Sequence, residues 1–162
     1  MTFTFSITLV IAAITVIVSL LGFNSPKVIE SLVFYGPAIS KRRQYYRFIT
    51  CGFIHADFMH LAFNMLAFYS FGITLEQGLF ASPEIFGTEA PFHYAMLYFG
   101  GLIISSVPDY FKHKDNYYFR SLGASGAVSA VIFSCIVLYP TMGIGFIFIP
   151  VPIPGWIFGL LY

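Results

Sequence analysis

Three polar side chains in the most apolar parts of this 162-residue sequence are of types that do acyl-transfer chemistry. His60 and Asn64 stand four residues apart in residues 58–75, a stretch without charge, so on a helix they project from one face. An imidazole and a carboxamide in a membrane span are costly unless they pair, meet water or serve a site. Ser125 stands in Gly123-Ala124-Ser125-Gly126, where a polar loop gives way to an apolar run. Small neighbours there let a substrate backbone approach a nucleophile. A helix N-terminus also offers free N–H groups and a positive dipole to a developing oxyanion. Each feature has a packing alternative: His60 and Asn64 can hydrogen-bond across a bundle, and small residues let helices approach.

Composition says what must hold these residues. The chain is 58% hydrophobic, 20% aromatic and only 9% charged, far below the ~25% charged residues of soluble domains. With a mean hydropathy of +0.82 it reads as an all-α, multispanning membrane protein whose surroundings are the lipid bilayer. A net charge of +1 and the lack of a basic run with interleaved stacking residues exclude nucleic-acid binding. The two cysteines, Cys51 and Cys135, make neither a disulfide framework nor a zinc spacing. His55, Asp57 and His60 are candidates for a metal site. Taken as one helix, however, they set the two imidazoles roughly 140° apart, and no HExxH motif is present. Neither a metal nor a cofactor is expected.

The predicted elements follow from apolar runs and breakers. Residues 3–23 form a first span, retained because no basic region of a cleavable signal precedes it. Residues 24–57 mix charges with aromatic and aliphatic residues, as expected of an interfacial first loop built from short amphipathic helices. Residues 58–75 are a second span closing at Glu76, and 81–90 a loop. Residues 91–107 are a third span, with Gly100 and Gly101 for close helix contact. Residues 108–120 are a polar loop and 121–139 a fourth span. Residues 141–154 hold three prolines at alternate positions, which forbid a regular helix and favour an extended segment. A further helix begins near Pro154 but has only residues 155–162, short of the ~20 that a span needs. The expectation is a single membrane domain over 1–162, incomplete at its C-terminus, with about four spans and the start of a fifth.

Taken together, Arg47, His55, His60-x-x-x-Asn64, Gly72-x-x-x-Glu76 and Gly123-x-Ser125-Gly126 resemble the rhomboid intramembrane serine proteases, over about residues 40–162. The resemblance implies a helical bundle that cleaves transmembrane client proteins, and it leaves the oligomeric state open. It implies Ser125 as nucleophile, with His60, Asn64 and the Ser125 backbone N–H as oxyanion-binding groups. Arg47 falls in the family's first-loop motif. His55 and Glu76 fall on framework positions that hold this loop and the lower end of the second span. Read without the resemblance, His60 would be the base. Glu76 lies ~24 Å farther along the helix and cannot complete a triad with it. The family's base is a histidine on a sixth helix. Here all four histidines, His55, His60, His93 and His113, precede Ser125, and truncation accounts for the gap. Ser129 stands where the family often has an aromatic residue. An inactive rhomboid-like protein that binds transmembrane clients is the alternative. A bacterial inner membrane is the expected location. All Lys and Arg lie in the first and third loops, which the positive-inside rule places in the cytoplasm, whereas rhomboids are expected to have these loops outside.

Overall fold

The computed structural model describes residues 6–146 and 149–161. Its first helix, α1 (Ile7–Asn24), shows how lipid solvation inverts the usual amphipathic pattern. The residues turned inward are Thr8, Ile11, Thr15, Ser19 and Gly22, mostly small or polar and spaced three or four apart, while Leu9, Ile14, Ile17 and Leu21 face outward. Water would reverse this choice. Hydrocarbon solvates Leu and Ile as well as a core does, so packing and hydrogen bonds decide the inner face.

The first loop then folds into short helices, α2 (Pro26–Leu32), α3 (Gly36–Arg42) and α4 (Arg47–Thr50), closed by a tight turn at Cys51–Phe53. Helix α5 (Phe58–Ile73) starts on an Asp57 cap, whose carboxylate accepts from the His60 N–H at 2.8 Å. Beyond Ile73 it widens into a π-helical segment, Thr74–Phe80, that buries Leu75, Glu76 and Phe80. The predicted stop at Glu76 is thereby moved. The charge does not end the helix because its carboxylate is turned inward and hydrogen-bonded.

Helix α6 (Ala90–His113) runs past the predicted end at residue 107 and through Pro108. Polar composition marked the end of the apolar stretch there, not of the helix, and one missing N–H is tolerated in so long an element. Gly101 faces Ala127 and Ala130 of α7 (Ser125–Leu138), where a Cβ would come within 2.7 Å of Ala130 Cβ. Gly100 faces open space, so only one of the predicted pair serves the contact. Helix α7 starts four residues later than predicted, because Ser121 bridges to Phe34 in an antiparallel pairing and Gly123 has φ +112°.

The predicted extended segment is a hairpin of β1 (Gly143–Phe146) and β2 (Ile149–Pro154), followed by α8 (Gly155–Leu161). Among the described residues three helical segments have the length and apolarity to cross a membrane, Ile7–Asn24, Phe58–Phe80 and Gly87–His113, and Ser125–Leu138 is a shorter apolar helix. The predicted first span begins before the described residues. Tyr94, Tyr98, Phe68, Val131 and Cys135 form the core where α5, α6 and α7 meet. The molecule is a helical bundle of the polytopic membrane type.

Two ends can be told apart. The first loop and the α6–α7 loop meet at one of them: Ser40 Oγ donates to the Lys114 carbonyl at 3.2 Å, and Lys41 bonds the Tyr117 hydroxyl. Gly36 packs so closely on His113 and Lys114 that a side chain would overlap their backbone. The hairpin joins the far ends of α7 and α8.

Candidate active site

The N-termini of α5 and α7 lie side by side at the end where the two basic loops meet. Between the helices an open cavity of about 620 Å³ is lined by His60, Asn64, Phe71, Ser125, Ile132 and Gly145, among others. The three residues singled out for chemistry therefore share one cavity. Ser125 is the first residue of α7, exposed to that space, and follows Gly123, whose positive φ lets the chain turn into the helix. A Cβ at Gly123 would lie 2.8 Å from His60 Cε1 and 2.9 Å from Nε2. The glycine is required twice, for its backbone angle and for the imidazole beside it. Gly123 N–H also donates to the Cys51 carbonyl at 2.9 Å, which ties the serine loop to the first loop.

Asn64 Nδ2 donates to the His60 carbonyl at 3.0 Å, one turn back on α5, which leaves its second N–H for the cavity. His60 and Asn64 are half-buried. His55 is fully buried, and its ring meets that of His60 edge-on with centroids 4.9 Å apart. This overturns the expectation that the two imidazoles diverge. His55 lies in the extended segment before α5, so helical rotation does not apply to it.

The hydrogen bonds of His55 fix its protonation. Ser19 Oγ lies 3.1 Å from the Phe53 carbonyl, to which it donates, and 3.0 Å from His55 Nδ1. With its one proton so used, Ser19 accepts from Nδ1–H. Nε2 is then free to accept from the Ala124 N–H at 3.5 Å. A neutral imidazole thus links α1, the first loop and the residue before Ser125. Burial, with the neighbouring His60 adding and Asp57 opposing, pushes the His55 pKa down to about 4. A histidine depressed in the folded state binds more protons when unfolded, so stability rises with pH across that window. The expected result is a melting temperature that falls as pH drops from ~6.5 to ~4. His55→Gln should flatten that slope, and an unchanged slope would contradict the linkage.

The framework residues have clear partners. Arg47 donates to the Glu30 carbonyl at 2.9 Å, the Val33 carbonyl at 2.7 Å and Gln44 Oε1 at 2.7 Å, so its guanidinium pins the turn after α2. Glu76 lies at the opposite end, far from His60, and accepts from the Ile7 and Thr8 N–H groups and from the Ser6 and Thr8 hydroxyls. It fills orphan donors at the start of α1. Thr8 Oγ1 is also 2.8 Å from the Tyr94 hydroxyl, so the cluster extends to α6. His93 stacks on Phe86 and His113 on Phe119, both away from the cavity. Among the described residues no group of three His, Cys, Asp or Glu side chains could hold a metal ion. Ser19, Thr8 and Ser6 were missed from sequence. Thr8, Thr15 and Ser19, seven and four residues apart on one face of an apolar helix, are the signal for Thr8 and Ser19, and Ser6 is marked only as a polar residue at the helix start.

In this polytopic membrane protein a serine at a helix N-terminus thus shares one cavity with an imidazole and a carboxamide. A family model of the Rhomboid domain matches residues 42–162, well over half of the chain. The chain belongs to the rhomboid family, whose members are intramembrane serine proteases acting on transmembrane substrates. A comparison with curated proteins gave no match.

Proposed function

We propose that the complete protein hydrolyses peptide bonds in or near the transmembrane segments of client membrane proteins. The observation that carries this reading is the convergence of Ser125, His60 and Asn64 on one cavity at the start of α7. Ser125 Oγ attacks the scissile carbonyl carbon as its proton passes to a base. The oxyanion that forms accepts from His60, from the free Asn64 N–H and from the Ser125 backbone N–H. Collapse breaks the C–N bond as the base returns the proton to the leaving nitrogen, which departs as the amine and leaves an acyl-enzyme that water hydrolyses. Buried polar side chains keep such a cavity open to water at membrane depth. Arg47, His55 and Glu76 act as supports: His55 through Ala124, Arg47 through the first loop, and Glu76 through the seating of α1 on α5.

The base is the piece to be supplied. No histidine follows Ser125 in these 162 residues, and a serine hydroxyl is a weak nucleophile without one. We place the base on chain beyond Tyr162 and take residues 1–162 alone to be inactive. The same observation favours the rival reading, a client-binding protein without catalysis. The first loop lies in the headgroup region of a bacterial inner membrane, with the catalytic end outward. Its embedding in headgroups offsets the cation bias toward the cytoplasm.

In the complete protein, His60→Ala and Asn64→Ala should each lower kcat by ~10²–10³ with a smaller change in KM, as for the loss of one oxyanion donor. Client cleavage followed by mass spectrometry in proteoliposomes measures this. Unchanged turnover in Asn64→Ala across several clients would remove it from the oxyanion site.

A further inference from the structure

The hairpin at the far end of the cavity has one edge that can receive a strand and one that cannot. Ile144 pairs with Ile153 and Gly143 with Pro154, and Gly155 N–H donates to the Met142 carbonyl at 2.8 Å. Peptide groups of alternate residues point to opposite sides of an antiparallel ladder. Ile153 and Gly155 thus face β1, while Pro152 and Pro154 fall on the outer edge of β2. Neither proline has an N–H, so that edge is closed to further pairing. The register shifts between Ile144 and Phe146 with the extra residues on β2, so β1 itself keeps the alternation that turns the N–H and C=O groups of Gly143 and Gly145 outward. No described residue outside the hairpin bonds to either N–H.

Strand β1 borders open space beside α5. Ile144 and Gly145 line the large cavity opposite Ser70 and Phe71, and a second cavity of about 190 Å³ lies between Gly143–Gly145 and Ser70, Phe71 and Thr74. Ser70, Phe71, Ile144 and Gly145 line both spaces. A Cβ on Gly145 would meet nothing within 4 Å, so the sheet face is open at that residue. Ser70 lies ten residues beyond His60 on α5, or ~15 Å. An extended chain covers that distance in about four to five residues.

We propose that the outer edge of β1 receives an extended stretch of the client as a third strand, about four to five residues from the scissile bond. The proposal rests on the protease reading of Ser125 and names how that site holds its substrate. A client span must unwind to present a peptide bond to Ser125, and unwound peptide groups at membrane depth need partners. The glycine edge supplies an N–H and a C=O on every second residue, the pattern by which a peptide adds to a sheet.

The test uses the complete wild-type protein and a peptide client carrying a single N-methyl amide at successive positions, out to seven residues on each side of the scissile bond. One lost hydrogen bond in this setting should raise KM up to about tenfold. The rise should come at four or five residues on one side and be absent two positions farther out. Gly145→Pro removes the matching N–H without a positive φ to violate. It should raise KM for the unmodified client, and the two changes together should cost no more than one. Cleavage that depends on Ser125 but ignores N-methylation at those positions would overturn the strand. Cleavage that does not depend on Ser125 would overturn the protease reading as well.

Discussion

Ser125→Ala in the complete protein is expected to abolish client cleavage, with kcat falling by ~10⁵ or more, the loss seen when the nucleophile of a serine hydrolase is removed. Client binding should persist, because the cavity walls are untouched and the hydroxyl is small among their largely apolar residues. The pairing of lost turnover with retained binding separates the two readings of the fold. A client-binding protein without catalysis would show no turnover in the wild type and the same affinity in the variant. Cleavage assayed by mass spectrometry, beside client capture in the same proteoliposomes, gives both numbers at once. Robust cleavage by Ser125→Ala would move the nucleophile elsewhere.

The second large effect is on stability, at the other end of the bundle. Glu76 takes four hydrogen bonds from the start of α1 and lies against the Thr8–Tyr94 pair. Glu76→Ala leaves these donors without their acceptor in a buried setting, and at roughly 1 kcal/mol each the cost is about 3–5 kcal/mol. The consequence is an α1 that separates from α5 before the rest of the bundle melts. Glu76→Gln keeps one carbonyl oxygen and should lose less. Thermal unfolding in detergent, with cysteine accessibility at introduced sites along α1, measures both. A melting temperature for Glu76→Ala equal to that of the wild type would show that the carboxylate is not what seats the helix.

These two predictions come from parts of the chain that differed in how legible they were. His60, Asn64 and Ser125 could be read because polar side chains stand out against an apolar background, and helical spacing alone puts the first two on one face. The hairpin could be read as extended because alternate prolines forbid a helix. The course of α6 past Pro108 could not, since polar composition locates the end of the hydrocarbon stretch and not the end of the hydrogen-bonded helix. Nor could the meeting of His55 with His60, which depends on the turn at Cys51–Phe53 and on the Asp57 cap. The roles of Ser19 and Thr8 rest on long-range partners, Phe53, His55 and Glu76, that no local pattern joins to them. Gly123 was legible as small; that an imidazole occupies the space of its missing side chain was not.

Ser125 is proposed as the nucleophile, with a base that is none of His55, His60, His93 and His113. A serine-reactive fluorophosphonate tests this assignment most directly, with the adduct located by mass spectrometry. Labelling of Ser125 is expected in the protein extended beyond Tyr162 to include a later histidine, and this labelling should be weakened but measurable in His60→Ala. Almost none is expected in residues 1–162 when these are folded to a comparable protease-resistant core. Strong labelling of residues 1–162 that disappears in His60→Ala would contradict the assignment, because His60 would then be the base and not a donor to the oxyanion.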